Sequence, residues 1–301
     1  MVRGALQLAR PVPLITWSLT TVVLGLAAAG HWETGWPVAV AAVLGGGVLL
    51  QGYVTHALND LYDWASGTDQ MTPGRLSGGS HVVGDGLLDL GSLRWLAIVG
   101  AGLYLTMLVW VGAWRGPTIW GLGAAALMAS VAYSLPPFRL SYRPLWGEWA
   151  GIFPPLAAGV LATGWAVAGR VGPVLAVTAF IQGILCVASV MEHHLVDIDS
   201  DWAAHPQKRT SPAYWQRVRG RPGSQVASAY DAGAALISMA AALALGPRFW
   251  WSAFIALLSA AIAWTTHRGD VRDETRRDWA LKALAVVHAA GYAVLAWVGV
   301  G

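Results

Sequence analysis

Long apolar runs dominate the chain, and short polar clusters separate them. A membrane-spanning helix needs about 20 mostly apolar residues. Nine stretches meet that need, at residues 12–31, 37–61, 92–113, 117–134, 147–169, 173–196, 225–245, 247–266 and 279–298. Gly, Ala and Ser recur within them, which suits close helix packing in lipid. Val, Ile and Thr nowhere alternate with polar residues, which argues against a β-barrel. Trp36, Trp114, Trp165, Trp250, Trp251 and Trp297 fall near run ends, the usual place of interfacial tryptophan. The first run follows Arg3 and Arg10 and ends in Ala27-Ala28-Ala29, which a signal peptide could also show. Its length and the eight runs behind it make it the first helix. The pattern predicts an all-α polytopic membrane protein with nine transmembrane helices. No low-complexity linker divides it, so residues 1–301 read as a single domain, with long loops at 64–91 and 199–223.

Composition agrees. Of 301 residues 56% are hydrophobic and 12% charged, and the mean hydropathy is +0.52. A soluble domain carries about 25% charged residues. Soluble enzymes, disordered chains and nucleic-acid binders are thereby excluded. The single Cys186 rules out an internal disulfide and a cysteine-built metal site.

Charge placement sets an orientation. With the N-terminus cytoplasmic, 16 of the 19 basic residues fall on the cytoplasmic side; Arg115, Arg170 and Arg248 fall opposite. The positive-inside rule favours this arrangement, and it accounts for the basic pI without nucleic acid. Of the acidic residues only Glu33 falls outside. The rest gather at the cytoplasmic ends of helices 2, 6 and 8. Carboxylates concentrated at a membrane surface need cations.

Two acidic motifs stand out. The first is Asn59-Asp60-Leu61-Tyr62-Asp63, continued by Gly67-Thr68-Asp69. Spacings of three and four turn Asn59, Asp60 and Asp63 to one side of a helix. The second is Asp197-Ile198-Asp199-Ser200-Asp201, where Asp197 and Asp201 share a face and Asp199 points away. Facing carboxylates would repel. Mg²⁺ relieves this, since it takes oxygen ligands and usually joins one or two carboxylates to substrate phosphates. Ordinary acidic helix ends are the bland alternative. The motif-bearing helices are four apart in order, which suggests a parallel pseudo-repeat of helices 1–4 and 5–8, with helix 9 added.

These motifs resemble those of the UbiA superfamily of intramembrane prenyltransferases, which has N-D-x-x-D after helix 2 and D-x-x-x-D after helix 6. The continuation to Asp69 and the segment Thr72-Pro73-Gly74-Arg75-Leu76-Ser77-Gly78-Gly79-Ser80 are similar to the 1,4-dihydroxy-2-naphthoate prenyltransferase branch. Tyr133-Ser134-Leu135-Pro136-Pro137-Phe138-Arg139 and Arg143-Pro144-Leu145-Trp146-Gly147-Glu148 also resemble family segments. There are departures. Asn-Asn-x-Arg before the second motif is here His193-His194-Leu195-Val196, and His205-Pro206-Gln207 lengthens the approach to Lys208-Arg209-Thr210.

The resemblance implies a UbiA-like bundle capped by cytoplasmic loops. It also implies Mg²⁺-dependent transfer of an isoprenyl group from a polyprenyl diphosphate to an aromatic or quinone-precursor acceptor, such as 1,4-dihydroxy-2-naphthoate or 4-hydroxybenzoate. Two Mg²⁺ ions would be held by Asn59, Asp60, Asp63, Asp69, Asp197 and Asp201, with Asp63, Asp197 and Tyr133 central to catalysis. Arg75, Tyr133, Arg139, Lys208 and Arg209 would meet the diphosphate. The tail would run between helices through a wide apolar cavity. The implied setting is a bacterial inner membrane, and the menaquinone branch implies quinone biosynthesis. Alternatives keep the diphosphate site but change the acceptor to a lipid, porphyrin or chlorin, or cyclise a terpene. A cation transporter is more distant, because the ionisable residues lie at helix ends rather than the midplane.

Other features read more plainly. Glu192-His193-His194 and His56 are ordinarily packed or hydrogen-bonded groups, with a catalytic base as the other reading. Arg268-Gly269-Asp270 is a chance tripeptide. Asp270, Asp273, Glu274 and Asp278 interleave with arginines and predict a solvated charged loop.

Overall fold

The computed structural model describes residues 1–71, 79–266 and 270–299. These residues contain helices and turns and no strand. In chain order the helices are α1 (Val2–Ala9), α2 (Pro11–Ala28), α3 (Trp36–Ser66), α4 (Leu90–Arg115), α5 (Pro117–Ser134), α6 (Gly147–Ala168) and α7 (Pro173–His193). They continue with α8 (Ile198–Ala203), α9 (Ser211–Arg219), α10 (Ser224–Leu245), α11 (Arg248–Trp264) and α12 (Val271–Trp297).

Local chemistry marks the boundaries. Proline opens α2, α5 and α7, where its missing N–H costs nothing and its fixed φ suits the first turn. Asp89 caps α4 by accepting from Ser92 N–H at 2.6 Å. Asp270 caps α12 by accepting from the N–H groups of Arg272 and Asp273.

Among the described residues seven helices are long and apolar enough to cross a membrane: α2, α3, α4, α6, α7, α10 and α12. This differs from the nine expected. Helix α11 is apolar but spans 17 residues, and α5, of 18 residues, falls outside the seven. Large apolar side chains stay exposed along the outer faces, including Trp95, Val109, Leu243, Phe254 and Val294. In water such a surface would aggregate; in lipid it is the expected one. The chain is an integral membrane protein.

The deepest packing joins α2, α6, α7, α11 and α12 around Leu24, Val160, Leu175, Phe249 and Tyr292. The Tyr292 hydroxyl meets Thr178 Oγ1 at 2.7 Å, so the buried phenol is satisfied. A second cluster, with Leu8, Leu61, Val82 and Leu93, fastens α1 and the 79–89 turn to α3 and α4.

Two expectations need correction. The segment 199–223 is not all loop, because α8 and α9 lie within it. Residues 271–278 belong to α12 rather than to a solvated loop, and Glu274 and Asp278 are buried. The arginine-rich spacing suggested a wet face, but α12 packs against neighbouring helices, where acids and bases pair.

The sequence also did not announce three π turns, at Leu14–Leu19, Val48–Thr55 and Gly147–Ile152. They sit in α2, α3 and α6, and such turns are frequent at functional sites.

Candidate functional site

One large cavity opens at the end of the bundle where α3, α7 and the 204–210 segment meet. It encloses about 1200 Å³, counted to its open mouth. Asn59, Asp63, Asp69, Tyr133, Asp197 and Lys208 line its polar part. Trp17, Leu50, Ile152, Pro155 and Leu156 line its apolar part.

The first motif is placed by the last turn of α3. Asn59 Nδ2 donates to Asp63 Oδ2 at 2.9 Å, one helical turn on. Gly67, at φ 89°, ends the helix in the left-handed conformation that glycine tolerates. The chain then folds back, and the Asp69 N–H reaches the Asp63 carbonyl at 3.4 Å. That turn brings Asp69 to the same site. Asp60 lies behind the wall: its Oδ1 takes the Arg10 guanidinium, and its Oδ2 takes the N–H and hydroxyl of Ser80.

The second motif begins at Asp197, which precedes α8. Asp197 and Asp201 share one side, and Asp201 is fully buried. Asp199 turns outward and pairs with Arg217. Lys208 is held in line because its N–H donates to the Asp201 carbonyl at 2.9 Å. Its ammonium donates to Asp63 Oδ2 at 2.7 Å and stands 3.6 Å from Asp201 Oδ1. One buried cation therefore links the two motifs. Backbone bonds brace the link. His205 N–H donates to the Ser66 carbonyl at 2.9 Å, and Arg209 N–H to the Tyr142 carbonyl at 3.3 Å.

Tyr142 is a site residue that sequence spacing did not single out. Its hydroxyl donates to Asp63 Oδ1 at 2.8 Å and lies 2.9 Å from Ser66 Oγ. Tyr133 borders the cavity with no hydrogen-bond partner for its hydroxyl among the described residues. Arg139 packs its guanidinium 5.7 Å from the Tyr62 ring and 5.6 Å from the Tyr142 ring, outside the cavity wall. Arg209 is exposed, bonded to Gln207 and set over Trp202. Arg75 lies outside the described residues, as does the Thr72–Gly78 segment around it. Arg10 was readable only as a topology anchor, yet it borders the cavity and pairs with Asp60.

The electrostatics follow from crowding. Burial pushes the Asp69 carboxyl up to about 9, and the nearby Asp63 and Asp60 charges add to the shift. Burial drives Asp201 well above the usual carboxylate range, against the pull of Lys208. Burial would also lower Lys208, but the Asp201 and Asp63 charges outweigh it and hold the ammonium charged. Among the described residues, five carboxylates (Asp60, Asp63, Asp69, Asp197, Asp201) and two cations, Arg10 and Lys208, gather here.

Such a surplus suits added positive charge. Both Asp201 side-chain oxygens are buried and accept no hydrogen bond among the described residues. A Cβ on Gly79 would fall 2.5 Å from Asp69 Oδ2 and 2.7 Å from Asp60 Oδ1, so only glycine leaves the space between these carboxylates open. The donors are all oxygen, which fits a hard cation such as Mg²⁺. Among the described residues no three His, Cys, Asp or Glu side chains close into a ready cage. That too fits Mg²⁺, which keeps waters and relies on substrate phosphates for part of its shell.

The apolar end continues. A second space, about 570 Å³ when likewise counted to its open mouth, shares Val43, Gly47, Leu50, Pro155 and Gly159 with the first, and reaches Ala42, Val111 and Ile119 between α3, α4, α5 and α6. From Asp63 to Ala42 is about 30 Å of helix. A charged head and a long apolar tail can therefore be held at once.

A membrane bundle with a charged cavity at one end and an apolar slot behind it belongs to an intramembrane enzyme class. A profile of the UbiA prenyltransferase family matches residues 18–295, and the chain belongs to that family. It is a prenyltransferase. Solved structures share the fold. A UbiA homologue from Archaeoglobus fulgidus, bound to GPP and Mg²⁺, has a TM-score of 0.71 at 14% identity, covering 97% of this chain and 99% of that one. An apo UbiA homologue from Aeropyrum pernix K1 has a TM-score of 0.63 at 19% identity, covering 91% and 95%. A digeranylgeranylglyceryl phosphate synthase has a TM-score of 0.62 at 12% identity, covering 98% of each. No curated protein matches the chain.

Proposed function

We propose that the protein transfers an isoprenyl group from a polyprenyl diphosphate to an aromatic acceptor, with release of diphosphate and dependence on Mg²⁺. One observation carries the reading: carboxylates from two distant motifs converge on a cavity whose far end is an apolar slot. The diphosphate sits at the polar end against Lys208 and Arg10, and the tail follows α3 toward Ala42.

Asn59, Asp63, Asp69, Asp197 and Asp201 hold the metal ions, with Asp60 behind them. When bound, the metal neutralises the diphosphate and stabilises it as a leaving group. Lys208 supplies a buried cation to the same group, and Tyr133 offers a hydroxyl at the cavity wall. Arg75 and Arg139 complete the proposed diphosphate contacts, with Arg209 more remote. The apolar wall excludes water from an allylic cation, which would otherwise be hydrolysed. The Mg²⁺ and GPP named for the Archaeoglobus fulgidus homologue support this assignment.

The branch is the 1,4-dihydroxy-2-naphthoate one, supported by the run from Asn59 to Asp69 and by Gly79, whose missing side chain leaves room between Asp60 and Asp69. It implies quinone biosynthesis. All nine apolar segments cross the membrane, α5 and α11 included. Helices 1–4 and 5–8 form a pseudo-repeat, and the polar cavity faces the cytoplasm of a bacterial cell, as the basic residues favour.

The test is a product assay. Purified protein is given Mg²⁺, allylic diphosphates of several lengths, and 1,4-dihydroxy-2-naphthoate, 4-hydroxybenzoate, a glycerophosphate lipid and a chlorin, with products read by mass spectrometry. A prenylated naphthoate is the expected product. Prenylation of the lipid or chlorin alone overturns the aromatic acceptor. Full turnover by both Asp63→Ala and Asp197→Ala overturns the site.

A further inference from the structure

Beyond its diphosphate an isoprenyl chain has no hydrogen-bonding atom, so polar side chains in an apolar cavity wall call for another partner. The two spaces differ in this respect. The slot is lined by α3, α4, α5 and α6, and the Tyr104 hydroxyl on its wall is spent on the Gly123 carbonyl at 3.0 Å. The main cavity has a further wall, formed by Trp17, Ser18, Thr21 and Val22 of α2. Gln51 of α3 borders the cavity beside it.

Two polar atoms of this wall are unspent. Gln51 Nε2 and Thr21 Oγ1 are buried and have no hydrogen-bond partner among the described residues. Such atoms destabilise a fold, and native proteins keep few of them. Both are held in place. The Ser18 hydroxyl donates to Gln51 Oε1, which fixes the amide and turns its NH₂ away from Ser18. Thr21 is 4% exposed, and its methyl is seated against α6: a Cβ on Gly159 would fall 2.6 Å from Thr21 Cγ2. The nearby Thr55 hydroxyl is already spent, on the Leu50 carbonyl at 2.9 Å.

The level of these groups along the bundle matters. Gln51, Thr55, Asn59 and Asp63 follow one another at spacings of four on α3, and all border the cavity. Gln51 lies about 12 Å of helix before Asn59. A diphosphate held at Asn59 and Asp63 therefore has the first carbon of its chain between them and Gln51. From that level the slot leads away on one side and the α2 wall stands on the other. Trp17 gives this wall a flat aromatic surface on which a ring can stack.

We infer that the α2 wall is the acceptor subsite, where the Gln51 amide and the Thr21 hydroxyl hydrogen-bond oxygens carried by the aromatic ring. This rests on the prenyl-transfer reading above and names what selects its acceptor. The amide N–H donates to a ring oxygen, and the Thr21 hydroxyl pairs with a phenol. Ser18 is a positioning residue that acts through Gln51. A ring without these oxygens leaves the buried amide unpaired, and it is rejected for that reason.

The test uses the full-length protein in detergent with Mg²⁺, geranyl diphosphate and 1,4-dihydroxy-2-naphthoate. If the panel above selects another hydroxylated ring, that ring and its deoxy forms replace it. Gln51→Met keeps the length of the side chain, and Thr21→Val keeps its shape. Each is expected to raise KM for the acceptor about five- to tenfold, the worth of one hydrogen bond. The kcat and the KM for geranyl diphosphate should stay within about twofold. Calorimetry then separates recognition from packing. Binding of 1,4-dihydroxy-2-naphthoate, 1-hydroxy-2-naphthoate and 4-hydroxy-2-naphthoate is measured with Mg²⁺ and the unreactive geranyl S-thiolodiphosphate. The wild type should bind at least one monohydroxy ring more weakly than the dihydroxy ring, and one of the two variants should lose that preference. Unchanged acceptor KM in both variants overturns the inference. So does an equal rise in both KM values, or an equal loss of affinity for all three rings, which marks a packing role. A rise in the KM for geranyl diphosphate alone overturns it too, because it gives these groups to the donor. If the wild type prenylates no aromatic ring of the panel, the aromatic-acceptor reading fails and the subsite with it. If the wild type turns over and both variants match it, only the subsite is wrong.

Discussion

Lys208 donates to Asp63 across 145 residues of sequence, at 2.7 Å and with both side chains buried. A lysine ammonium in such a place is held by the carboxylates around it, and they in turn depend on it. Removing one partner of a buried pair leaves the other charged and unsolvated, at a cost of about 3–5 kcal/mol. Lys208→Met should therefore lower the melting temperature in metal-free buffer. Added Mg²⁺ should restore more stability to this variant than to the wild type, because it supplies the missing positive charge. A thermal melt with and without Mg²⁺ reads this. Equal Mg²⁺ responses would show that the ion binds elsewhere.

Arg10 and Arg209 are both arginines beside the motifs, and they should behave oppositely. Arg10→Ala strips Asp60 of its guanidinium at the cavity wall. A loss of about 2 kcal/mol, typical of a charge-assisted hydrogen bond, corresponds to about thirtyfold in kcat/KM for the isoprenyl diphosphate. Arg209→Ala, exposed and turned to Gln207 and Trp202, should change kcat/KM less than about twofold. Steady-state kinetics on both variants separates them.

Tyr142→Phe removes the donor to Asp63 Oδ1 and leaves the ring in place. A hydrogen bond to a charged group is worth about 1.5–3 kcal/mol. Transfer should slow by about tenfold or more, with the protein still folded. Unchanged rates in a stopped assay would mean that Asp63 is oriented by Lys208 and Asn59 alone.

The slot behind the cavity predicts a length limit. Gly46 lines the slot, and a Cβ there would sit 3.5 Å from the Tyr104 ring, an ordinary contact, so a larger side chain would take up slot volume. Gly46→Leu should reject long diphosphates while kcat/KM for the shortest stays near wild type. Competition between two chain lengths, read by product mass, gives the ratio. An unchanged ratio would place the tail outside this slot.

Gly79→Ala should raise the Mg²⁺ concentration needed for half-maximal rate. Its methyl would occupy the space between Asp60 and Asp69, at a backbone φ of +75° that alanine adopts poorly. A Mg²⁺ titration of the initial rate checks it.

Much of this was legible in the sequence. Hydrophobic runs located the helices, because lipid leaves little choice of backbone structure. Spacing alone put Asn59 with Asp63, and Asp197 with Asp201, since helical neighbours three and four apart share a side. Asp199 read as outward for the same reason and is so. Side chains on non-helical chain were harder. Lys208 and Arg209 are consecutive outside any helix, and one is buried while the other is exposed, a choice that no helical spacing marks. Arg10 and Tyr142 act through contacts 50 and 79 positions away, and no local pattern encodes those. Asp278 was misread because its partners, His193 and Lys282, show only once α12 is packed.

The three π turns carry a consequence for how such a site can change. Trp17 and Ser18, Gln51 and Thr55, and Gly151 and Ile152 all border the cavity, and all lie within these turns. A π turn fits one residue more than an α turn into the same full turn. Removing that extra residue from Val48–Thr55 would close the π turn into an α turn, so that Asn59 and Asp63 keep the side they now face and Ala39 and Ala42 keep their packing. Each of these helices thus carries a spare residue at the cavity wall. Single-residue insertions and deletions there change what lines the cavity and leave the membrane-facing architecture untouched.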